Sequence, residues 1–367
     1  MALRTEELML NMGPQHPSTH GVLRLVVTLD GENVMDVQPD IGYLHSSVEK
    51  MMEHRTYVQN VALVDRGMDY LIALNNEQAY CLAVEQLAGI APPDRARYIR
   101  VIFNELNRIA SHLVWLGTWA IDLGATTVFL WCFREREMIL DLFEKVTGGR
   151  LHHVYYRLGG VYADLPEGWV EQCGAFLDYF LLRVDEYDTL LTKNPIFLAR
   201  TKGVGTISRA DAIAMGASGP VARASGVAYD VRKAAPYEAY DRMEFNVPVL
   251  TDGDCFARYL VRLTEMRESV RIVRQALFNL PGGEIRARVP MTMKAPRGEI
   301  YVHTESPRGD LGIHLVSDGG ETPYRVKIRA PSFSNLYALT EMMKGWKIAD
   351  VIAILGSIDI VLSDVDR

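Results

Sequence analysis

The segment from Asp94 to Ile121 constrains the fold of this chain more than any other. Large aliphatic residues recur in it at every third or fourth position: Ile99, Ile102, Leu106, Ile109, Leu113 and Leu116. This spacing places them on one face of an α-helix, and the prolines just before Asp94 are tolerated at a helix start. We therefore predict one long amphipathic helix that ends at Asp122-Leu123-Gly124.

Similar patterns occur along most of the chain. The further helices predicted from periodicity and from flanking Gly and Pro are Val48 to Val61 with a break around Asp65-Arg66-Gly67, Asn75 or Asn76 to Ala88, Thr126 to Val146, Asp164 to Lys193, Asp254 to Leu280, Leu336 to Trp346 and Ile348 to Leu355. Glycines break the pattern between 194 and 254, where we expect loops and short pieces. The middle of the chain is thus predicted to be a bundle of long helices.

Strands are predicted at two places. Val22 to Leu29 and Val34 to Val37 flank an Asp-Gly turn and form a hairpin. Later strands are predicted at Glu299 to Glu305, Leu311 to Val316 and Tyr324 to Ile328. We therefore predict an α+β, mainly α fold with four parts: an N-terminal β-sheet domain at 1–40, a helical bundle at 41–284, a β extension at 285–332, and helices with a polar tail at 333–367 that pack back on the bundle.

The composition limits the classes of function. The chain has 367 residues and a formal net charge of −7 without a basic cluster, which argues against nucleic-acid binding. Cys81, Cys132, Cys173 and Cys255 are far apart and no C-x-x-C occurs, so no disulfide framework, zinc site or iron–sulfur site is encoded locally. We expect buried cysteines, no membrane span, no signal peptide and a product that stays in the cytosol.

The loop from Asn11 to Gly21 contains two histidines, two prolines and two glycines. Because proline fixes φ and biases the residue before it toward extended backbone, we expect a stiff loop that carries His20 at the start of a strand. Taken alone, His16 and His20 are interpreted as surface or capping groups of a turn.

Several motifs of this chain occur together, in the same order, in one protein family. They are Gly13-Pro14-Gln15-His16-Pro17-Ser18-Thr19-His20-Gly21, Tyr43-Leu44-His45 with Glu49-Lys50, Asn76-Glu77-Gln78-Ala79-Tyr80, Arg134-Glu135-Arg136-Glu137, Arg223-Ala224-Ser225-Gly226 and Asp364-Val365-Asp366-Arg367. Over almost its whole length the chain resembles the quinone-site component of respiratory complex I, called the D-type or 49-kilodalton subunit, and its H-type counterpart in the photosynthetic NDH complex. That family shares its fold with the large subunit of nickel–iron hydrogenases, so the resemblance implies a long-helix bundle of that type.

The shared fold with hydrogenases also allows an argument against a nickel–iron site in this chain. Hydrogenase large subunits hold nickel and iron with two C-x-x-C pairs, and the matching segments here are Asn60–Val64 and Asp359–Leu362, which contain no cysteine. A nickel–iron pair requires soft thiolate ligands. We therefore expect a cavity for another ligand, and the resemblance implies a quinone headgroup.

The resemblance assigns three residues to that site. His20 and Tyr70 match the residues that hydrogen-bond the two quinone carbonyls, and Asp122 matches a carboxylate that pairs with this histidine. A carboxylate at the end of a helix is disfavoured by the helix dipole, which a nearby imidazolium would relieve. On spacing alone Asp122 is better interpreted as an N-cap of the helix near Thr126, and Tyr70 as an ordinary core tyrosine.

Two further residues match positions that lie against a tetranuclear iron–sulfur cluster held by a neighbouring B-type subunit. They are Arg66 and His152, and a cation or hydrogen-bond donor there would raise the cluster potential. The alternatives are that Arg66 pairs with Asp65 or Asp69 and that His152 is an interface residue. Gly67 resembles a one-residue insertion, which in a helix would rotate Tyr70 by about 100° relative to Arg66.

The resemblance implies a peripheral-arm subunit of a proton-pumping NAD(P)H or ferredoxin:quinone oxidoreductase that is active only within the complex. Quinone is its substrate, and the cluster is supplied by the neighbour. The implied partners are the B-type iron–sulfur subunit, a C-type subunit, an I-type ferredoxin-like subunit and an H/A-type membrane subunit. The implied location is peripheral, on the cytoplasmic side of an inner, plasma or thylakoid membrane. A structural paralogue without quinone and a hydrogenase-like subunit without metal remain alternatives.

Overall fold

A computed structural model describes residues 7–15, 21–290 and 292–367 of the chain. Long helices dominate it, and their bounds are α3 Ala73–Ala88, α4 Asp94–Asp122, α5 Thr126–Thr147, α6 Trp169–Leu191 and α11 Cys255–Phe278. The predicted class, α+β and mainly α, is confirmed. The long helix predicted from Asp94 ends one residue beyond Ile121, as its hydrophobic spacing indicates.

Shorter helices connect and flank these. They are α1 Val48–Glu53, α2 Tyr57–Gly67, α7 Pro195–Thr201, α8 Arg209–Ala214, α9 Gly219–Ala224, α10 Val231–Ala234, α12 Pro331–Met343, α13 Ile348–Ile358 and α14 Leu362–Asp366, with short 3-10 helices at Tyr70–Ile72 and Tyr240–Arg242. Several starts have side-chain caps: Thr56 accepts from the Gln59 amide, and Asp254 accepts from the Ala257 amide. None of the described helices is both long and apolar enough to cross a membrane.

The described strands form three antiparallel sheets. The first contains β1 Glu7–Met12, β2 Arg24–Asp30 and β3 Asn33–Asp40, the second the short β4 Tyr156–Arg157 and β5 Gly160–Val161, and the third β6 Gly298–Ser306, β7 Gly309–Ser317 and β8 Arg325–Arg329. The predicted hairpin at Asp30-Gly31 and the three later strands are confirmed. β1 was not predicted, because its Leu8, Met9 and Leu10 are exposed and do not alternate with polar residues.

Helix α4 lies at the centre of the hydrophobic core. Its buried face packs against α5 and α11, and its last turns pack against α13. There the indoles of Trp115 and Trp119 stack with centroids 5.1 Å apart and donate to the carbonyls of Gly356 and Ala353. Because α4 is buried on all sides and bonded to α13, the position of its last residue, Asp122, relative to the segment after α13 is fixed.

The polar residues at the end of the chain are largely buried. They include Asp359, Asp364 and Asp366. The Asp366 carboxylate accepts from the backbone amides of Gly42 and Leu44 at 2.8 and 2.7 Å. Two motifs that are far apart in sequence therefore meet in the structure, and these hydrogen bonds compensate the burial of the charge.

Candidate functional site

A cavity of about 360 Å³ lies where the 3-10 helix Tyr70–Ile72, the end of α4 and the segment after α13 meet. Its lining residues are Tyr70, Leu71, Val114, Trp115, Thr118, Ile121, Asp122, Arg308, Asp359, Ile360 and Val361. Two of the predicted site residues, Tyr70 and Asp122, therefore line the same cavity. Its wall at 359–361 lies within the segment Asp359–Leu362, one of the two segments at which the resemblance predicts a ligand cavity.

Tyr70 is positioned by the residue before it. The Asp69 carboxylate caps the 3-10 helix by accepting from the Leu71 amide at 3.0 Å. The Tyr70 side chain faces the cavity with 42% of the residue exposed, so the alternative of an ordinary core tyrosine is wrong. Burial and the neighbouring Asp69 raise the pKa of Tyr70, whereas Arg308 lowers it. The phenol is thus a neutral hydrogen-bond donor at physiological pH.

Asp122 is the last residue of α4, and the residue that caps α5 is Ala125. The N-cap interpretation of Asp122 is therefore wrong. Its carboxylate lies at the C-terminal end of a long helix, where the unpaired carbonyls disfavour negative charge.

Arg308, in the turn between β6 and β7, contacts residues from several of the segments that surround the cavity. Its guanidinium forms ion pairs with Asp69 and, at 3.3 Å, with Asp359, and it donates to the Ser111 hydroxyl at 3.2 Å. All four of these residues are buried. Asp359 also has a left-handed backbone with φ 56°, which is unusual for a residue other than glycine. This bend after α13 turns the following residues along the cavity.

The predicted histidines, His16 and His20, lie outside the described residues. The ends of their loop are described. Gly13 has φ +86°, and a side chain there would collide with the Leu23 carbonyl, so only glycine fits. A Cβ placed on Gly21 would lie 3.7 Å from the Cβ of Leu362, next to the cavity wall.

Arg66 and His152 do not line this cavity, and Asp65 connects the two parts of the chain that carry them. Arg66 is exposed near the end of α2. The His152 ring is about one-third exposed, and its Nδ1 lies 3.1 Å from the buried carboxylate of Asp65, the residue before Arg66. The second Asp65 oxygen accepts from the Val154 amide at 3.0 Å. Asp65 therefore holds the loop that carries His152 against α2.

The alternative that Arg66 pairs with Asp65 or Asp69 is wrong, since all three residues are described and no such pair forms. The carboxylates of Asp65 and Asp69 bind other partners, and Arg66 forms an ion pair with neither. Gly67 is the last residue of α2, and a Cβ on it would approach Val48 Cγ2 to 2.8 Å. The helix ends at Gly67, and Met68 caps it, so the backbone is no longer helical between Arg66 and Tyr70.

A buried pair of carboxyl groups, Asp65 and Glu77, was not predicted. Glu77 on α3 accepts from the Tyr156 amide at 2.6 Å through one oxygen, and its other oxygen is buried without a hydrogen-bond partner. Burial, and then the neighbouring Asp65 carboxyl, raise the pKa of Glu77 well above its ordinary value. The environment of Glu77 therefore favours its neutral form.

The ion pairs of Arg308 with Asp69 and Asp359, at and behind the cavity wall, were also not predicted. Asp69 stands next to Tyr70, and Arg308 precedes a glycine in a tight turn, but neither feature indicates a partner. The pairing joins residues 239 and 51 positions apart, which no periodicity encodes.

Three further features remain: a second groove, the cysteines and groups of possible metal ligands. A larger groove of about 710 Å³ between β3 and α12 contains none of the predicted site residues. The four cysteines are buried and free, as predicted. Within 7–15, 21–290 and 292–367, no three His, Cys, Asp or Glu side chains come together as a metal site.

We predict that Glu77→Gln makes unfolding less dependent on pH. Above about pH 4.5 the unfolded chain loses the Glu77 proton while the folded chain keeps it. This lowers the free energy of unfolding of the parent by up to ~1.4 kcal/mol per pH unit. Glutamine does not titrate, so the variant lacks this decrease. Denaturant unfolding at two pH values measures this. The free energy of unfolding of Glu77→Gln should rise relative to that of the parent as pH rises. The exposed Glu167→Gln is the control, and a stability difference between Glu77→Gln and the parent that does not change with pH would contradict a raised pKa of Glu77.

The chain was compared with known proteins. The family model described as respiratory-chain NADH dehydrogenase, 49 Kd subunit, matches residues 122–295 and 287–367. The D-type subunit of the NADH-quinone oxidoreductase of Desulforamulus reducens is 54% identical over 366 residues and all of both chains. The H-type subunit of the NAD(P)H-quinone oxidoreductase of Thermosynechococcus vestitus is 52% identical over 99% of this chain and 98% of its own. The D-type subunit from Thermus thermophilus is 53% identical over 100% of this chain and 95% of its own. The chain belongs to the family of the 49 Kd subunit of respiratory-chain NADH dehydrogenase.

Proposed function

We propose that the chain is the quinone-site subunit of a proton-pumping NAD(P)H or ferredoxin:quinone oxidoreductase and that the cavity beside Tyr70 takes the quinone headgroup. The observation that carries this proposal is the meeting of Tyr70 and Asp122 at one cavity. The wall at 359–361 is the segment where hydrogenases have cysteines. The names of the relatives, NADH-quinone and NAD(P)H-quinone oxidoreductase subunits, favour this function over a structural paralogue or a metal-free hydrogenase-like subunit.

The lining suits a quinone. Leu71, Val114, Trp115 and Ile360 offer apolar surface to a flat ring, and the Tyr70 phenol offers a proton to a carbonyl oxygen. His20 is assigned to the second carbonyl. This assignment comes from the family resemblance, because His20 lies outside the described residues.

Quinone reduction needs two electrons and two protons. In the proposed mechanism Tyr70 and His20 each give one proton to a quinone oxygen, and Asp122 stabilises the imidazolium form of His20. Loss of the His20 proton leaves Asp122 with an unbalanced charge. This charge biases the loop between Gly13 and Gly21, and the change in the loop starts proton pumping elsewhere in the complex.

The surface of Arg66 and His152 is assigned to the electron donor. A tetranuclear iron–sulfur cluster of a B-type subunit would lie against it and supply electrons. Asp65 binds Nδ1 of His152 and leaves Nε2 for the cluster side. A proton taken up there would stabilise the added electron.

The wider assembly is also part of the proposal. The chain works with the B-type, C-type and I-type subunits of the peripheral arm and with an H/A-type membrane subunit. Its place is the cytoplasmic side of the membrane, as a peripheral subunit.

We predict that Tyr70→Phe and His20→Ala each lower the quinone reductase rate of the purified complex. A positioned proton donor contributes ~10²–10⁴-fold, so a loss of at least about tenfold is expected. Tyr324→Phe removes an exposed hydroxyl far from the cavity and is the matched control. Normal rates in both site variants would refute the proposed site.

We predict that His152→Met lowers the midpoint potential of the terminal cluster and removes its pH dependence. Each one-electron step coupled to one proton changes the potential by ~59 mV per pH unit, and methionine cannot take up that proton. A redox titration followed by electron paramagnetic resonance measures the slope. His314→Met, in the third sheet, is the control. A potential that keeps both its value and its slope in His152→Met would rule the assignment out.

A further inference from the structure

Tyr70 lies in a short turn of backbone that is hydrogen-bonded from several directions. The 3-10 helix Tyr70–Ile72 follows Asp69 and continues directly into α3, which begins at Ala73. Tyr70 is the first residue of this 3-10 helix. Because peptide groups are planar, the direction in which the phenol leaves the backbone depends on the peptide groups before and after Tyr70.

Two asparagine side chains bind carbonyl groups of this turn. The amide of Asn76, on α3, donates to the Asp69 carbonyl at 2.8 Å, in the peptide group before Tyr70. The amide of Asn107, on α4, donates to the Leu71 carbonyl at 2.9 Å. Both asparagines are buried. A carbonyl oxygen accepts only from the NH2 group of a side-chain amide, so the turn also determines the orientation of both amides.

The peptide group after Tyr70 is bound by the Asp69 carboxylate, which accepts from the Leu71 amide at 3.0 Å. The Asp69 carbonyl accepts in addition from the Ile72 amide at 3.1 Å. Each peptide group from Asp69 to Ile72 is therefore hydrogen-bonded. A shift of the Tyr70 Cα would lengthen or break at least one of these bonds.

The two asparagines are costly if their role is stability alone. The side-chain oxygen of each is buried and has no hydrogen-bond partner among the described residues. An unsatisfied buried acceptor destabilises a fold, and an apolar side chain of similar size would avoid this cost. The contribution of each side chain is thus its hydrogen bond to the turn that carries Tyr70.

Asn107 also relates Tyr70 to the other residues of the cavity. The same helix, α4, supplies Thr118 and Asp122 to the cavity wall. Because α4 is buried along most of its length, it forms a rigid reference for both. The bond from Asn107 therefore sets the position of the Tyr70 turn relative to Asp122.

We propose that Asn76 and Asn107 are positioning residues for Tyr70, which hold its phenol O–H toward the quinone oxygen that it protonates. This inference rests on the proposed function. Neither asparagine is among the described residues that line the cavity, so both act through the backbone of the turn. A proton donor is effective only within hydrogen-bond reach of its acceptor, and a small displacement lowers the rate.

The test is a double-mutant cycle in the purified complex, with decylubiquinone as the substrate and rates expressed per mole of assembled complex. Asn107→Leu should lower kcat about tenfold, which is less than the ~10²-fold that a displacement of ~1 Å can cost. KM should change less than about twofold, because Asn107 binds the turn and not the quinone. A raised KM at unchanged kcat would contradict the proposal.

The second arm of the cycle repeats Asn107→Leu in the Tyr70→Phe variant. That variant has no phenol proton to position, so Asn107→Leu should lower its kcat by less than about twofold. An equal fold-loss in both backgrounds would mean that Asn107 supports the structure in general, and this would overturn the proposal.

Asn76→Leu gives an independent test, because Asn76 binds the turn from α3 rather than from α4. It should show the same dependence on Tyr70. The control is Asn104→Leu, which removes a buried amide from α4 one turn earlier. The Asn104 side chain contacts Tyr156 and Gln78 instead of the turn, so any effect of its removal should be equal in both backgrounds. Coupling of Asn104 to Tyr70 as strong as that of Asn107 would contradict a specific role.

Tyr70→Phe separates the failure of this inference from the failure of the proposed function. If Tyr70→Phe reduces quinone at the parent rate, the proposed site itself fails. If Tyr70→Phe is slow and Asn107→Leu slows it as much as it slows the parent, the site stands and the positioning role is refuted.

Discussion

The buried contacts of Arg308 with Asp69 and Asp359 are the interaction on which the site depends. They join the residue before Tyr70 to the bend after α13, and these two elements face each other across the cavity. Removing one partner of a buried ion pair typically costs ~3–5 kcal/mol, because the remaining charge has no compensation. The ion pairs of Arg308 therefore hold the segment before Tyr70 and the bend at Asp359 in fixed positions relative to each other.

One short segment connects the two surfaces of the site. Asp65 holds His152 on the side assigned to the electron donor, and Asp69, four residues later, holds Arg308 on the cavity side. Both aspartates are buried, and other carboxyl groups lie close to each of them. The same stretch of backbone carries Arg66 and Tyr70.

Local sequence patterns were sufficient to predict most helices and strands, but they did not identify the residues of the candidate site. The periodicity of α4 gave its ends to within a residue, and the Asp-Gly turn gave the first hairpin. Tyr70 and Asp122 were found only through the family resemblance, since spacing alone favoured a core residue and a helix cap. The ion pairs of Arg308 with Asp69 and Asp359 were missed because contacts between distant segments leave no periodic signal. The four-part division of the chain and the role of His20 remain predictions.

The most direct test of the account is a cryo-EM map of the purified complex with a bound quinone. The account predicts headgroup density between Tyr70 and the segment 359–361, with a carbonyl oxygen about 2.6–3.2 Å from the Tyr70 hydroxyl. Headgroup density in another place, such as the groove between β3 and α12, with the Tyr70 cavity filled only by water, would contradict it.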